Sequence, residues 1–207
     1  MLTAAQNTLL KTDIAANTAT VVHPDLGTVQ IKDIRADDGT GQNVIAAWYN
    51  QTASPDYFVW DTQVNTDLIA DGITGANYSQ VDVPDLTSAP LFTSRGMILQ
   101  TKQMNLQVLL QGRTTLNASK KNIRAWLNDA TTNLPSGANG ASRSGGWSTI
   151  LPVLFRKANR IEKVLAVDDG PGIGNTVTDP RGASTNPDVT TYEGVISGTD
   201  VNIAMNS

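Results

Sequence analysis

The sequence lacks cysteine altogether and contains one histidine among its 207 residues. The absence of cysteine excludes disulfides, thiolate nucleophiles and thiolate metal sites. The lone histidine, His23, excludes a metal site built from several histidines. We interpret His23, in the segment VVHPD, as a structural or surface group, because no Gly-x-Ser-x-Gly element typical of a hydrolase nucleophile accompanies it.

Charged and aromatic residues are also scarce, at 16% and 5% of the chain. An average soluble protein has about 25% charged residues. The net charge is −4, the isoelectric point is about 4.8, and Lys and Arg form no run. These values argue against a surface that attracts nucleic acid or an anionic membrane. A weakly charged polar surface is typical of a protein covered by neighbours, and equally of an ordinary neutral surface.

Long hydrophobic runs are absent as well. A membrane-spanning helix needs about 18 or more consecutive apolar residues, which occur nowhere in the chain. The opening segment MLTAAQNTLLKTDIAAN has neither the basic start nor the apolar centre of a signal peptide. We therefore expect a protein that is made in a cytoplasm, stays soluble and does not enter a membrane.

Hydrophobic periodicity predicts a mainly α fold: a helical core with long polar loops and a few short β-strands. The strongest helical signal has apolar residues at alternating steps of four and three, at Trp147, Leu151, Leu154, Ala158, Ile161 and Leu165. Other helices are predicted at 4–16, where Thr3 and Gln6 form a capping box, and at 95–112, where Gly112 is the stop. A short helix is expected to begin near Asn43, and another helix is expected to be capped by Asn117 or Ser119. The chain is expected to end in a short helix or strand. Short strands are expected within 18–34, and 52–93 is interpreted as loop with short turns.

The loops indicate how the chain is organised. We expect a single domain, 1–207, with flexible segments near 135–146 and 168–190. Ordering such segments costs on the order of 1 to 2 kcal/mol of backbone entropy per residue. Subunits that lay arms over their neighbours offset this cost, because ordering is then coupled to assembly. The loops therefore favour a structural oligomer over an enzyme, although ordinary disordered loops fit them too.

One stretch, KVLAVDDGPGIGN at 163–175, is similar to the nucleotide-contacting Asp-x-Gly-x-Gly box of histidine-kinase and gyrase-type ATPases. Such a site also needs an asparagine-bearing helix, which NASKK at 117–121 imitates. Four residues before that asparagine lies Arg113, which cannot accept a proton near neutral pH. A second glycine-rich box is absent, and VLAV is expected to be the last turn of a helix. We interpret the stretch as a loop.

Other candidate sites have simpler interpretations. Asp37-Asp38 and Asp168-Asp169 are acidic pairs before glycine, but they lack the alternate-residue spacing of a calcium loop, which favours turns. The basic residues of 156–163, with Arg143, fit a solvated helix face better than a phosphate or acidic-protein site. Core packing is likewise favoured over a sugar or base platform for Trp48, Tyr49, Tyr57, Phe58 and Trp60. No catalytic, cofactor-binding or metal-binding residue is predicted.

Four segments resemble a family of short proteins encoded among the virion structural genes of tailed bacteriophages and prophages. They are LTAAQNTLLKTDIAA, IAAWYNQTASPDYFVWDTQV, NIRAWLNDA and LFRKANRIEKVLA…TYEGVISGTDV. The similarity covers most of the chain in patches made of packing and turn patterns. Residues 18–36 and 170–190 are extra relative to the shorter members.

The resemblance implies a virion component without enzymatic activity, most specifically a head-to-tail connector: a homo-oligomeric adaptor ring beneath the portal protein, in contact with tail proteins, through which DNA passes without sequence-specific binding. A closed ring requires two different faces of each subunit to meet. One alternative is another virion part, such as a tail-completion, tail-tube or capsid decoration protein. The alternative from another class is a small phage or bacterial enzyme or carbohydrate-binding protein.

Overall fold

The computed structural model describes residues 1–79, 89–135 and 142–207, and the side chains of the helix that begins at Ala89 are described from Gly96 onward. The chain forms two compact units. Unit 1 comprises Met1–Val59, Lys157–Asp169 and Val177–Ser207, and unit 2 comprises Trp60–Arg156 and Gly170–Thr176. The expected single domain stays a prediction, since this division does not test whether each unit folds alone.

The described residues contain eight α-helices and ten short strands. The helices are α1 (Ala4–Ala16), α2 (Gly39–Tyr49), α3 (Thr66–Asp71), α4 (Ala89–Leu110), α5 (Lys121–Thr131), α6 (Trp147–Ile150), α7 (Arg160–Val164) and α8 (Gly198–Asn206). The strands are β1 (Thr20–His23), β2 (Gly27–Gln30), β3 (Phe58–Trp60), β4 (Val64–Asn65), β5 (Thr115–Leu116), β6 (Leu134–Pro135), β7 (Ser142–Arg143), β8 (Phe155–Lys157), β9 (Ala166–Val167) and β10 (Val189–Thr190). They form the pairs β1–β2, β3–β8, β4–β5, β6–β7 and β9–β10. Three-residue and four-residue 3-10 helices lie at Ile31–Asp33, Gly75–Tyr78 and Leu151–Val153.

The prediction of a mainly α fold is wrong. The structure is 45% helical and 18% strand, with small antiparallel sheets, and is therefore a mixture of α and β structure. The longest strands, β1 and β2, have four residues each, and β9 has only two. A strand this short gives at most two alternations of apolar and polar residues, so its period-2 pattern is too weak to recognise.

The core of unit 1 is formed by α1, α2 and α8, with α7 packed beside them. The helix predicted at 4–16 is present with its capping box, since Thr3 accepts from the Gln6 backbone and Gln6 from the Thr3 backbone. The second helix begins at Gly39, earlier than expected near Asn43, because Asp38 caps it by accepting from the Gly41 backbone N–H. The core side chains include Leu10, Ile14, Ile45, Tyr49, Ile161, Leu165, Val201 and Ala204.

The helix predicted from Trp147 to Leu165 is not continuous. The chain forms α6, the 3-10 helix Leu151–Val153, β8 and then α7. Asn159 restarts the helix with a capping box to Glu162, which requires an extended backbone at Asn159 and so ends any helix before it. Leu154, Ala158 and Leu165 are buried all the same. The apolar spacing therefore identified buried positions correctly and the secondary structure incorrectly.

In unit 2, α4 packs on α5 and on β6. The helix predicted at 95–112 corresponds to α4, which ends at Leu110, and Gly112 follows with a φ of 73°. Helix α5 begins at Lys121 with no side-chain cap, so the predicted caps are wrong. Asn117 instead accepts from the backbone N–H of Ser119 in the turn before the helix.

The two segments expected to be flexible differ in how much of them is described. Part of 135–146, positions 136–141, lies outside the described residues. Residues 168–188 form a series of turns, in which Gly172 bridges to Asn175 and Ala183 bridges to Asn186, and Val189–Thr190 forms β10. From 52–93, the described residues form β3, β4, α3, a 3-10 helix and the start of α4, and positions 80–88 lie outside the described residues.

Candidate functional site

Helix α4 carries apolar side chains on two opposite faces. On the inner face Leu99, Leu106 and Leu109 are buried, with exposed fractions of 5%, 5% and 0%. We define the outer stripe as Met97, Thr101, Met104 and Val108. Its residues follow one another at steps of four, three and four, which places them on one line along the opposite side of the helix.

The outer stripe faces solvent in the single chain. Met97, Met104 and Val108 have exposed fractions of 63%, 56% and 55%. A surface helix of a monomer normally has polar residues on the side away from its core. Steps of four and three are also the spacing with which two helices pack side by side. The outer stripe thus has the pattern of a second contact surface.

The outer stripe is also free of charge. Between Gly96 and Leu110 the only ionisable residue is Lys102, and the amides Gln100 and Gln107 flank the stripe. Lys102 lies on the inner side, where its ammonium group is 3.2 Å from the Asp129 carboxylate. Among the side chains of α4 that are described, from Gly96 onward, contact through the stripe would therefore bury no ionised group.

A cavity of about 700 Å³ lies within unit 1. Its walls are the last turn of α1, the last turn of α2 and one side of α7, and the polar or charged side chains among them include Asp13, Asn17, Tyr49, Arg160 and Lys163. Arg160 is the first residue of α7, whose start is fixed by the capping box of Asn159 and Glu162. The cavity is therefore built from regular structure on three sides.

One wall of the cavity contains a chain of hydrogen bonds. The Tyr49 hydroxyl donates to the Asp13 carboxylate at 2.5 Å and accepts from the Asn17 amide at 3.2 Å. Burial raises the pKa of Tyr49 well above its ordinary value, and the Asp13 hydrogen bond raises it further. Tyr49 therefore stays a neutral donor, which rules out a tyrosinate base at this position.

The opposite wall is cationic. The Arg160 guanidinium lies over the Trp48 ring, 4.0 Å from its centroid. Its Nη1 donates to the Trp48 carbonyl at 3.2 Å and to the Gln51 side chain at 2.9 Å. Lys163, one turn along α7, has its ammonium group 5.5 Å from the centre of the Tyr57 ring. Within the described part of the chain, neither cation forms an ion pair with a carboxylate.

The lone histidine is the last residue of β1, next to the β1–β2 turn, and is not among the residues that line the cavity. His23 is buried, its Nδ1 accepts from the backbone N–H groups of Asp25 and Leu26 at 3.2 Å, and its Nε2 lies 2.9 Å from Asp38. Asp38 in turn caps α2, and Asp37 pairs with Arg35. These contacts join the hairpin to the helix start, which is a structural role.

Residues 170–175 of the glycine-rich stretch belong to unit 2 and are held by side chains of that unit. The Arg124 Nε donates to the Ile173 carbonyl at 3.0 Å, and the Lys121 ammonium donates to the Pro171 carbonyl at 3.2 Å. Arg124 is fully buried and lies 4.0 Å from the centre of the Trp60 ring. The expectation that VLAV is helical is wrong at its end, since Ala166–Val167 forms β9 and pairs with β10. The contacts give the stretch a local packing role.

The segment after this stretch is anchored in unit 1 by Asp188, which is fully buried. Asp188 accepts from the Tyr57 hydroxyl and pairs with Arg181, whose Nη2 is 2.6 Å away. Burial, followed by the hydrogen bond to Asp188, raises the pKa of Tyr57. Gly182 has a φ of 72°, and a Cβ there would lie 2.2 Å from the Tyr57 ring, so glycine is required.

The aromatic and basic candidates do not form one surface. Tyr49 and Trp60 are fully buried, and they belong to different units. Lys157 pairs with Asp56 at 2.7 Å. Arg143 donates to the backbone carbonyls of Ser79 and Pro135. Among the residues predicted as possible anion contacts, the structure brings Arg160 and Lys163 together at one cavity.

Two sites escaped the sequence analysis. The outer stripe was detectable, because its spacing is visible in GMILQTKQMNLQVLLQG, but the prediction for this helix gave only its extent and assigned no apolar face. The cavity was not detectable, because Asp13, Trp48 and Arg160 are far apart in the sequence. Across residues 1–79, 89–135 and 142–207, the acidic residues and the histidine form no cluster suited to a metal ion. None of the helices there is both long and apolar enough to cross a membrane.

The comparisons with known proteins leave these local features as the basis for assigning a function. Neither a protein family, nor a curated protein, nor a solved structure matches the chain. Any function must therefore be argued from the chain's own residues: an uncharged apolar stripe on α4 of unit 2, and a cationic cavity in unit 1.

Proposed function

We propose that the chain is a structural subunit of a tailed-bacteriophage virion, and most specifically a subunit of the head-to-tail connector ring beneath the portal protein. The outer stripe of α4 is the observation that carries this proposal. The patchwise sequence resemblance to virion structural proteins supplies the biological setting. In this setting the protein is located in the virion, its partners are the portal and tail proteins, and it has no catalytic role.

The water-exposed apolar side chains of the outer stripe favour assembly of the chain. Burying apolar surface stabilises an assembly by about 25 cal/mol per Å². Because the stripe has no ionised group, its burial carries no cost for removing a charge from water. A stripe of this composition stabilises an assembly more than it stabilises the single chain. A structural subunit is expected to have such a surface.

The partner of the outer stripe is a second copy of the chain. The stripe carries no charge that would select an oppositely charged partner or repel an identical chain. In a ring each copy contributes two different faces, so the stripe of one subunit contacts another surface of the next subunit. Repetition of this contact closes the ring.

The net charge of −4 supports the proposed passage of DNA. Binding to the DNA backbone depends on Lys and Arg neutralising phosphates, and each neutralised phosphate strengthens the attachment. A ring of acidic subunits holds few such contacts, so DNA slides through without being retained. The same charge balance argues against sequence-specific recognition of DNA.

Electron microscopy of virions or of portal complexes that contain the chain tests the position. The expected density is one ring between portal and tail. Many copies over the capsid shell, or stacked along the tail, would contradict the connector and support a decoration or tail-tube protein. Turnover of a small molecule by the purified chain would contradict the structural class altogether.

A pair of variants tests the contact itself. Met104→Glu places a charge in the outer stripe and is expected to abolish assembly into rings, because the charge would be buried. Gln103→Glu adds the same charge one residue away, outside the stripe, and is expected to assemble normally. Equal assembly of the two variants, with both folded by circular dichroism, would contradict the role of the stripe.

A further inference from the structure

We propose that the cavity of unit 1 is a binding site for a carboxylate group. The site is independent of the proposed virion role, because it lies in a different unit from the outer stripe. Two cations line the cavity, Arg160 and Lys163, against the single carboxylate of Asp13. The lining side chains therefore carry a surplus of positive charge in a protein whose net charge is negative.

The existing contacts leave the cations available to a ligand. Asp13 receives the hydrogen bond of Tyr49, which takes up part of its accepting capacity within the protein. Arg160 and Lys163 have aromatic and neutral polar neighbours, and within the described residues no carboxylate neutralises them. Charged groups next to low-polarity surface gain more from an anion than they would in open solvent.

The guanidinium geometry selects the shape of the anion. Arg160 is held by stacking on Trp48 and by two hydrogen bonds from Nη1. Its Nε and Nη2 have no acceptor among the described residues. These two N–H groups form one planar edge, which matches the two oxygens of a carboxylate in a bidentate pair. Because stacking already fixes the side chain, little rotamer entropy is lost on binding.

The rest of the wall disfavours a more highly charged anion. Helix α1 ends at Ala16 and α2 ends at Tyr49, and both ends lie at the cavity. Helix C-termini carry partial negative charge. Together with Asp13 they repel a phosphate group, which concentrates up to two charges on one group, more strongly than a carboxylate group, which carries one. The cavity volume of about 700 Å³ admits a small organic molecule around the carboxylate.

Titration of the full chain with sodium succinate, followed by ¹H–¹⁵N NMR, tests the site. Succinate is expected to cause saturable shifts of the α7 amides and of the Trp48 indole, and uncharged succinamide is expected to cause none. Absence of saturable shifts with succinate, or equal shifts with succinamide, would overturn the proposal.

Two exposed lysines of unit 1 provide a matched pair of variants. Lys163→Gln removes a cation of the cavity and is expected to weaken succinate binding roughly tenfold, the order of one charge-assisted hydrogen bond. Lys157→Gln removes the same charge outside the cavity and is expected to bind succinate like the unmodified chain. Equal binding by both variants would assign the shifts to non-specific attraction.

The carboxylate has two possible sources, a free small molecule or an acidic side chain of a neighbouring subunit. The NMR titration does not separate these sources, because both require the same saturable site. Sedimentation of the chain with saturating succinate does separate them. Loss of oligomer on adding succinate identifies the acidic side chain as the natural ligand, and unchanged oligomer identifies a free carboxylate. Met104→Glu is expected to bind succinate normally, so failure of the virion proposal leaves this result intact.

Discussion

The two faces of α4 differ in environment far more than in composition. The inner face carries three leucines, and the outer stripe carries two methionines, a valine and a threonine. Leu109 is fully buried, whereas Val108, its neighbour in the chain, is 55% exposed. Apolar spacing therefore locates the contact surfaces of a helix, but it does not distinguish a surface buried within the chain from one left exposed. The inner face stabilises the fold, and the outer stripe is available for assembly.

The largest expected effect is on the inner face. Leu109→Ala removes a fully buried side chain and leaves a cavity, so the free energy of unfolding is expected to fall by about 2 to 5 kcal/mol. Urea unfolding followed by circular dichroism measures the change. A loss within about 0.5 kcal/mol, the size typical of surface positions, would contradict the distinction between the two faces.

Met104→Ala on the outer stripe is expected to weaken self-association while leaving the stability of the monomer nearly unchanged. Because Met104 is 56% exposed, its truncation is expected to change the free energy of unfolding of the monomer by no more than about 0.5 kcal/mol. Self-association is expected to weaken by about tenfold, since less apolar surface is buried in the contact. Sedimentation equilibrium measures the association constant. A large loss of fold stability would place Met104 in the core.

Acid is expected to affect α2 without affecting the outer stripe. The hydrogen bond from the Gly41 backbone holds the pKa of Asp38 below its usual value of 3.8. A carboxyl group with a lowered folded-state pKa contributes stability above that usual value, and the contribution is lost as the pH falls through the folded-state pKa. The melting temperature of the chain is therefore expected to fall towards that of Asp38→Asn below about pH 3.8. A difference that stays constant with pH would contradict the charged cap.

The smallest expected effect is that of salt on association. A contact through the uncharged outer stripe involves no ion pairs, so raising the salt from about 0.05 to 0.5 M is expected to leave the association constant nearly unchanged. Sedimentation at several salt concentrations measures it. A steep fall in association with salt would show that charged surfaces elsewhere drive assembly, and the comparison of the two faces would lose its meaning.

The accuracy of the sequence predictions depended on how local the determining contacts are. Helix α1 was predicted correctly because its capping box involves only Thr3 and Gln6. The helix predicted over 147–165 failed because Asn159 forms a cap and Phe155–Lys157 pairs with a distant strand. Apolar periodicity does not register either event. The mainly α assignment failed for the same reason.

The candidate sites differ in the same way, because one is formed by residues close in the sequence and the other by residues far apart in it. The outer stripe is local, and its spacing from Met97 to Val108 can be read in the sequence once two apolar faces are allowed. The cavity brings together Asp13, Trp48 and Arg160, which no sequence pattern links. The buried Asp188 likewise depends on Tyr57, 131 positions away. Sequence analysis identified Asp188 only as part of a polar loop.

Photo-crosslinking shows whether a second copy of the chain covers the outer stripe. The chain has no cysteine, so Met104→Cys provides one attachment point for a benzophenone, and Leu26→Cys, at an exposed position of unit 1, provides a matched control. Purified, concentrated protein labelled at position 104 is expected to give products at multiples of the 22.0 kDa chain, in clear excess over the control. Products that stay at 22.0 kDa, or that form equally from both positions, would contradict this expectation.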